Sequence, residues 1–412
     1  MDDTVVLEAL AEISREHVAR LTATMTRLLG DFDLAEESVQ DALLMAIERW
    51  PRSGVPVQPG AWLLTVARRK AIDRIRRETK YQEKLALLQA SHMASDDGVS
   101  AEEYLRLVFT CCHPALSPAA QVALTLRAVM GLTTAEIAAA FLCPEATIAQ
   151  RIVRAKRKIV EANIPYNLPA EPEWEHRLDG VLTVLYLVFN EGYLSAGSKV
   201  VSRRNLAEEA AWLVSLLAVM APNDPEILGL LALMRLHLAR ANARFDGNGE
   251  LILLRDQDRR RWDRRSIADA DALIERAAAL RRPGRYQLQA AIAACHATAD
   301  SWEATDWPQI LALYERLCMY DGSPVARLNR AIALGQVYGA ELALAEVDNL
   351  AESLCRYHLF HATRGELLRA LGRTAEAQAA DEAALELTQN PAERALLWRR
   401  LGYRMAPPNY GN

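Results

Sequence analysis

The hydrophobic and polar positions of this chain repeat at three- and four-residue spacing along most of its length, as in amphipathic helices. Ala, Leu, Glu and Arg dominate, and no run of alternating β-branched residues is long enough to predict a sheet. Two apolar runs, Val181–Phe189 and Ala210–Ala221, fall short of the ~18 residues that span a bilayer, so we interpret them as buried helices. The pattern therefore predicts an all-α protein.

Clusters of proline and glycine interrupt the helical pattern, and two of the breaks have the composition of linkers. Ser91–Ser100 is small, polar and acidic, and Asn163–Glu173 contains three prolines. These breaks predict helical domains at residues 1–85, 102–162 and 174–412, joined by linkers at 86–101 and 163–173.

The last predicted domain contains an internal repeat at an offset of 34 residues. Arg330–Leu350 aligns with Arg364–Leu385, and this alignment pairs Ala331 with Gly365. A period of about 34 with small residues where paired helices cross is typical of tetratricopeptide repeats (TPR). We therefore predict a C-terminal α-helical repeat (TPR-like) domain.

Positive charge in the front part is concentrated in two predicted helices. Gly60–Arg77 reads GAWLLTVARRKAIDRIRR and follows an amphipathic helix with an acidic face, Asp31–Trp50, after a loop at 51–60. Glu145–Ile159 reads EATIAQRIVRAKRKI. Residues 1–165 nevertheless hold 20 Lys and Arg against 21 Asp and Glu, so the positive charge is segregated rather than abundant. Such segregation indicates groove-specific contacts with nucleic acid.

The segment Thr133–Ile159 has the pattern of a helix-turn-helix. A capping box, Thr133 or Thr134 ahead of Glu136, predicts a first helix that ends at Leu142. A break at Cys143 and Pro144 then precedes a second helix, which in this motif enters the major groove. We predict that its apolar face consists of Ile148, Ile152, Val153 and Ile159.

Other clusters suggest chemistry but have simpler interpretations. Cys111 and Cys112 precede His113, but adjacent helical residues point about 100° apart and no second cysteine pair lies nearby. We therefore predict buried cysteines, with no metal and no cofactor. The charged run Arg255–Asp263 is interpreted as an ion-pair network, and His296 as a core or surface histidine. The two basic helices could themselves be solvated faces of a helical bundle.

The order of acidic helix, loop, aromatic-bearing basic helix, acidic linker and helix-turn-helix resembles bacterial RNA polymerase sigma factors of the extracytoplasmic-function (sigma-70-like) group. Residues 10–80 resemble their region 2, and residues 102–162 resemble their region 4. The rear part, with Leu185–Tyr193, Arg255–Asp263 and Leu288–Ala297, is similar to the subgroup that carries a long C-terminal TPR-like extension. The resemblance implies an alternative sigma factor, not an enzyme, that recognises −35 and −10 promoter elements and opens the promoter.

The resemblance also implies three sets of contact residues. The set that binds core RNA polymerase, at the β′ clamp helices, is Asp33, Glu36, Glu37, Gln40 and Asp41. The set that binds the −10 element is Gln58, Trp62, Arg68, Arg69, Asp73 and Arg76. The set that binds the −35 element is Thr147, Gln150, Arg151, Arg154, Lys156, Arg157 and Lys158. Loop 51–60 lacks aromatic residues, so the residue that contacts the flipped −10 base stays open.

Further partners follow from the same resemblance: the β flap of the polymerase, promoter DNA, and a small YCII-like regulatory protein at a C-terminal domain that regulates in cis. The acidic N-terminal residues and the irregular spacing of the six cysteines indicate a cytoplasmic protein without a membrane contact.

Two alternatives stay open. One is a helix-turn-helix activator with a repeat-based sensor domain that acts without replacing sigma. The other is an enzyme or ligand-binding protein in the rear part, which would need a pocket with convergent polar groups.

Overall fold

A computed structural model describes residues 28–77, 101–141, 143–194, 204–247 and 249–402, and a few positions between 18 and 26. Of these described residues, 77% are helical. Within these described ranges, extended pairing is limited to one isolated antiparallel bridge between Phe245 and Leu251. The predicted all-α fold class is therefore confirmed. The chain forms two compact units that divide between Val188 and Phe189.

The described part of the first unit contains helices α1 (Phe32–Ser53), α2 (Pro59–Arg77), α3 (Ala101–Cys111), α4 (Pro118–Ala128), α5 (Thr134–Ala140), α6 (Glu145–Glu161) and most of α7 (Glu171–Leu194). The predicted linker 86–101 lies outside the described residues apart from Ala101. Helix α7 begins inside the predicted linker 163–173 and continues into the second unit. The domain boundaries therefore stay a prediction.

The described part of the second unit continues with α8 (Arg204–Met220), α9 (Pro225–Ala239), α10 (Arg264–Ala279), α11 (Arg285–Thr298), α12 (Trp307–Tyr320), α13 (Pro324–Tyr338), α14 (Ala340–Asp348), α15 (Ala351–Leu354), α16 (His358–Ala370), α17 (Thr374–Leu387) and α18 (Pro391–Arg400). The two apolar runs of the sequence lie in α7 and α8, as predicted. No helix in the described ranges is long and apolar enough to cross a membrane.

Helix α1 is longer than the sequence pattern predicts. It continues through Pro51 to Ser53 and ends where Gly54 adopts a φ of 83°, a conformation that favours glycine. The amide of Gly54 donates to the carbonyl oxygen of Trp50 at 2.9 Å. Helix α2 then begins at Pro59, because proline suits the first turn of a helix. The predicted loop 51–60 is therefore wrong in length, and the segment between the helices is only residues 54–58.

Helices α1 and α2 pack through one apolar face each. Trp50 of α1 is fully buried, as are Leu63 and Ile75 of α2. The small residues Ala67 and Ala71 lie between these two positions on the same face of α2 and are also buried. This packing leaves the polar faces of both helices outward, where the predicted contact residues lie.

The predicted helix-turn-helix is formed by α5 and α6. The hydroxyl of Thr133 accepts a hydrogen bond from the amide of Glu136 at 3.2 Å, and the carboxylate of Glu136 accepts one from the amide of Thr133 at 2.8 Å. This is the predicted capping box, with Thr133 as its first residue. Helix α5 ends at Ala140, two residues earlier than predicted, and α6 begins directly after Pro144.

The predicted apolar face of α6 is wrong at one position. Ile148, Ile152 and Ile159 are buried, but Val153 is 63% exposed and Ala155 is buried in its place. Val153 follows Ile152 directly, so its side chain points about 100° away from the apolar stripe. Ala155 lies seven residues after Ile148, two helical turns on, and so returns to the stripe.

The predicted 34-residue period is confirmed by the helices of the second unit. Helices α13 and α14 begin at Pro324 and Ala340, and α16 and α17 begin 34 residues later, at His358 and Thr374. Small residues lie where the paired helices cross, and Gly365 of α16 packs directly against α17. Repeats of this kind bury a continuous core by stacking neighbouring helical pairs.

Candidate polymerase and promoter interface

The residues predicted to bind polymerase form a polar stripe on α1, outside the face that packs against α2. We call this stripe, formed by Asp33, Glu36, Glu37, Gln40 and Asp41, the acidic face. In an α-helix, residues three and four positions apart lie on the same side. Positions 33, 36, 37, 40 and 41 are related by such steps, so they share one side of α1. Most of the acidic face is exposed, but Glu36 and Asp41 are partly buried.

Glu36 is bonded to two cations, one from α4 and one from α6, the second helix of the helix-turn-helix. Arg127 of α4 donates from Nε at 3.1 Å and from Nη2 at 2.8 Å to Oε1 of Glu36. Lys156 of α6 donates to Oε2 of Glu36 and also pairs with Oδ1 of Asp33 at 3.0 Å. We call these four side chains the Glu36 contact. They cover one end of the acidic face.

The Glu36 contact is a partly desolvated ionic cluster. The side chains of Glu36 and Lys156 are only 19% and 12% exposed. Burial alone would raise the pKa of Glu36, but Lys156 and Arg127 outweigh burial and hold this pKa below its usual value. The Lys156 ammonium also lies 4.8 Å from the ring centroid of Phe32, a favourable cation–π distance. Salt screens such a cluster less than it screens an exposed pair.

Glu37 makes a different kind of contact, with the neighbouring helix α2. Its carboxylate lies 2.6 Å from Nη1 of Arg74, and both side chains are about half exposed. Exposed pairs of this kind contribute roughly 0–1 kcal/mol. Glu37 therefore remains accessible to a partner, as does Gln40 one turn further along α1.

The first residues predicted for the −10 element lie at the start of α2. Gln58 directly precedes the helix and is exposed. Trp62 is partly exposed, and its ring centroid lies 5.4 Å from that of the buried Trp50. This contact fixes the Trp62 ring against the core while leaving one side of it accessible.

The charged residues predicted for the −10 element follow along α2. Arg69 and Asp73 are exposed, and Arg68 is partly buried. The backbone of Arg76 belongs to α2, but its side chain lies outside the described residues. The exposed members face away from the apolar core that holds α2 on α1.

The residues predicted for the −35 element begin near the N-terminus of α6. Thr147, Gln150 and Arg154 are exposed, and Arg151 is partly buried. Their spacing of three and four residues places them in one stripe along the first turns of α6. Side chains at this end of the second helix are those that reach base edges in a helix-turn-helix.

The three cations towards the end of α6 divide between two environments. Arg157 and Lys158 are exposed, and Arg157 pairs with Glu161 at 2.6 Å. Lys156 instead faces the acidic face within the Glu36 contact. A phosphate contact for Lys156 stays a prediction, and it would require the Glu36 contact to open.

Family models match three segments of the chain. Sigma-70 region 2 matches residues 13–81, and Sigma-70, region 4 matches residues 106–159. A family of unknown function, DUF6596, matches residues 177–278. These matches place the acidic face and α2 within region 2, and α6 within region 4.

Relatives among known proteins agree with these matches. The uncharacterized protein R00370 of Rhizobium meliloti is 43% identical over 393 residues, 93% of each chain. The ECF RNA polymerase sigma factor SigK of Mycolicibacterium vanbaalenii is 31% identical over 166 residues, 37% of this chain and 81% of that protein. The chain belongs to the ECF RNA polymerase sigma factor family. The probable ECF RNA polymerase sigma factor SigI of Mycobacterium tuberculosis is 29% identical over 172 residues, 40% of this chain and 58% of that protein. No solved structure matches.

The family membership confirms the predicted resemblance and the predicted function as an RNA polymerase sigma factor. Sigma factors bind core RNA polymerase and promoter DNA, and the family is not an enzyme class. An activator that acts without replacing sigma is not favoured, because it would need no region 2. The relatives do not bear on a YCII-like partner, which stays a prediction.

Arg127 is a residue of this sigma factor that the sequence analysis missed. It is the single charged residue in Val122–Met130, an otherwise largely apolar run. Besides Glu36, its guanidinium donates to the carbonyl oxygen of Leu132 at 3.1 Å. An isolated charge in an apolar helix is the signal that could have identified it, because such a charge requires a partner.

Cys111 and Cys112 are buried, as predicted. Each is 1% exposed, and burial raises the pKa of Cys112 to about 12 and the pKa of Cys111 well above its usual value. The thiolate is the form that binds metals and reacts as a nucleophile. Both thiols are therefore protonated at neutral pH and act as small core residues.

Proposed function

We propose that the acidic face of α1 binds the clamp helices of the polymerase β′ subunit, that Gln58 and α2 bind the −10 element, and that α6 binds the −35 element. The observation that carries the proposal is the segregation of charge: acidic side chains lie on α1, and exposed polar and cationic ones on α6. An acidic surface that meets a basic partner provides steering and register. Cations on α6 suit the phosphates of DNA.

In the proposed −35 contact, the N-terminal part of α6 reads bases and its later part holds the backbone. Arg pairs with guanine and Gln pairs with adenine through two hydrogen bonds each in the major groove, which suits Arg154 and Gln150. Arg157 and Lys158, which follow on α6, suit phosphate contacts that set position rather than sequence preference. Region 4 would also contact the β flap of the polymerase.

In the proposed −10 contact, one base leaves the stack and enters a site beside the segment 54–58. Flipping a base costs a few kcal/mol, which contacts with the base and its phosphates must offset. The segment 54–58 has no aromatic side chain, so the partly exposed Trp62 on the first turn of α2 is the ring that borders it. Arg69, which is exposed on the same helix, suits a phosphate contact.

The experiment that tests the assignment of α6 is promoter binding by the assembled holoenzyme. We expect Arg154→Ala to weaken binding to a selected promoter fragment about tenfold, because a good base contact is worth about 1–3 kcal/mol. Binding to core RNA polymerase should stay unchanged. Val153→Ala is the matched control, since Val153 is exposed on the same helix and carries no charge. Equal promoter binding by both variants would contradict the assignment.

The Glu36 contact affects the order in which the sigma factor binds core RNA polymerase and the −35 element. Arg127 and Lys156 hold the carboxylate of Glu36, and Lys156 also pairs with Asp33, so these cations compete with a polymerase cation for the same carboxylates. We therefore propose that regions 2 and 4 separate when the sigma factor binds core RNA polymerase. The polymerase would replace the cations of region 4, and α6 would become available to the −35 element.

The rear part, residues 174–412, would regulate the sigma factor in cis. Helical repeat arrays generally bind peptides or helices on their concave face, which favours a protein partner, such as a small YCII-like protein. We expect transcription directed by the full chain to differ from that directed by residues 1–165. Equal transcription from the same promoter would exclude regulation in cis.

A further inference from the structure

Three separate motifs of the rear part meet at one cluster of side chains. Tyr193 comes from the first motif, at the end of α7, and Arg259 with Trp262 from the second. His296 comes from the third, in α11. Nη1 of Arg259 donates to the carbonyl oxygen of His296 at 2.6 Å, and Nη2 of Arg240 donates to the hydroxyl of Tyr193 at 3.3 Å. We call Tyr193, His237, Arg240, Arg244, Arg259, Trp262 and His296 the arginine cluster.

The charged run Arg255–Asp263 explains only part of this arrangement. The predicted ion-pair network is present at Arg260, which pairs with Asp258 at 3.1 Å and is 91% exposed. Arg259 behaves differently: it is 8% exposed and turns inward, where its Cζ lies 4.8 Å from the ring centroid of Trp262. The expectation of an ion-pair network is therefore wrong for Arg259.

The arginine cluster holds three guanidinium groups without a paired carboxylate. Neither Arg240, Arg244 nor Arg259 forms an ion pair within the part of the chain that the structure describes. The carboxylates of Asp300 and Glu303 attract the Arg259 guanidinium electrostatically from a distance, without forming an ion pair with it. Burying a charge without a partner is strongly unfavourable, so this arrangement requires a counter-charge or compensating acceptors.

Helix ends account for some of these charges but not for all of them. Arg244 donates to the carbonyl oxygen of Tyr193 in the last turn of α7. Nη1 of Arg259 donates to the carbonyl oxygens of His296 and Ala299 at the end of α11. Helix C-termini favour such cations. Among the described residues, however, Arg240 is bonded only to neutral partners, the Tyr193 hydroxyl and Nδ1 of His237 at 3.1 Å.

Unsatisfied donors lie in the same cluster. Nη2 of Arg259 and Nε1 of Trp262 are buried donors, and among the described residues neither of them, nor Nδ1 of His296, has a hydrogen-bond partner. Trp262 is only 3% exposed, and the guanidinium carbons of Arg240 and Arg259 both lie within 6 Å of its ring centroid, at 5.9 and 4.8 Å. Buried donors without acceptors are rare in folded proteins, and here they coincide with excess positive charge.

The positive charge of the arginine cluster contributes to low pKa values at its two histidines, His237 and His296. Burial, together with the charges of Arg240 and Arg259, lowers the pKa of His296 to about 4. Burial, together with Arg240 and Arg244, also lowers the pKa of His237 well below its usual value. Both rings are therefore neutral at pH 7, and the net charge of the cluster comes from the arginines alone.

We propose that the arginine cluster binds a small oxyanion, the carboxylate or phosphate group of a small molecule, through Arg240 and Arg259 beside Trp262. Arg suits such groups because its planar guanidinium can donate two parallel hydrogen bonds to them. Arg240 and His296 are partly exposed, so the cluster reaches the surface of the second unit. This site goes beyond the proposed function and does not depend on it. A small anion bound at this site would act directly on the rear part.

The test is titration of the full-length protein with inorganic phosphate and, separately, with succinate, at ionic strength matched by sodium chloride. We expect saturable binding of at least one probe by calorimetry and a higher melting temperature in its presence. The two probes distinguish a phosphate ligand from a carboxylate ligand. Saturation with neither probe would overturn the proposal.

Two variants connect the binding to the cluster. Arg240→Gln should weaken binding at least tenfold, and Arg260→Gln, which changes the exposed neighbour of Arg259, should not change it. Without added anion, Arg240→Gln should melt at or above the temperature of the parent, because like-charge repulsion falls. If Arg240→Gln binds as well as the parent, or melts lower in chloride alone, the cluster is purely structural and the proposal fails.

Discussion

At the scale of single residues, Gly365 shows how closely two helices of the rear repeat approach. A Cβ added there would lie 2.8 Å from Oδ1 of Asp381 and 3.3 Å from the carbonyl oxygen of Ala377. The residues 34 positions before Gly365 and Asp381 are Ala331 and Val347, and both belong to one buried apolar cluster. Asp381 is fully buried and pairs with Arg369, so it cannot easily move away. Glycine is therefore required at position 365 because Asp381 leaves no room for a Cβ atom, and not because the backbone there adopts a conformation that favours glycine.

We predict that Gly365→Ala lowers the free energy of unfolding of the rear part by about 1–3 kcal/mol, as overpacking does in other cores. Urea unfolding of the full chain measures this change. Gly322→Ala is the control, because a Cβ at Gly322 would meet nothing within 4 Å. A Gly365→Ala protein as stable as the control would show that α16 and α17 can separate freely.

His296 predicts a dependence of stability on pH. Its pKa is about 4 in the folded chain, below the usual value near 6.5 that the unfolded chain keeps. The unfolded state therefore binds the proton first, so stability is complete above pH 6.5 and falls as the pH drops towards 4. Between pH 6.5 and 5 the loss is at most about 2 kcal/mol, since one pH unit corresponds to about 1.4 kcal/mol.

Replacing His296 with Gln should reduce the drop in melting temperature between pH 7 and pH 5. His176→Gln is the matched control, because His176 is exposed on α7 and lies outside the arginine cluster. If the melting temperatures of the parent and of His296→Gln fall equally between pH 7 and pH 5, protonation of His296 is not the cause of the pH dependence.

Residue-level expectations succeeded where local sequence decides the conformation. The capping box at Thr133 and Glu136 depends on a spacing of three residues, so the sequence was sufficient to predict it. The orientations of Lys156 and Arg259 depend on helices far away in the chain. Long, flexible side chains can reach solvent or a distant partner with equal ease, and a pattern along one helix does not distinguish the two.

At the scale of elements, the Glu36 contact joins three helices that carry different proposed roles. We predict that Lys156→Gln strengthens binding to core RNA polymerase about three- to tenfold. The reason is that it removes one of the two cations that hold Glu36 and the cation that pairs with Asp33. This weakens the contact with region 4, and the apparent affinity rises with the fraction of molecules whose acidic face is open. Fluorescence titration of labelled core RNA polymerase measures this affinity.

Lys158→Gln is the control for this prediction, because it removes an exposed cation two residues further along α6. It should leave the affinity for core RNA polymerase unchanged. Weaker binding by Lys156→Gln alone would mean that Lys156 itself contacts the polymerase, and the proposed separation of regions 2 and 4 would be wrong.

Helix limits were predicted well where a cap or a proline marks them. The pattern located α6 from Pro144 onward and the two helical pairs of the repeat, since both depend on local spacing. It failed at the end of α1, where two breakers compete. Pro51 still fits within the last turn of α1, whereas Gly54 takes a left-handed conformation and ends it. Which of the two ends the helix depends on the packing of Trp50 against α2.

At the scale of the whole molecule, the sequence was enough for the fold class, the sigma regions and the period of the rear repeat. It was not enough for the arginine cluster, whose members are separated by up to about a hundred residues along the chain. Their meeting depends on how α7, α9 and α11 pack, and no local period encodes this. The rear part thus combines a predictable repeat with a site that only tertiary structure shows.

The central claim is that this chain directs promoter-specific initiation by RNA polymerase. The most direct measurement is in vitro transcription of genomic DNA by core RNA polymerase with and without the full chain, with mapping of the transcript start sites. We predict start sites that require the chain and share paired −35 and −10 sequences at constant spacing. Start sites that do not change when the chain is added, although it is bound to core RNA polymerase, would contradict the claim.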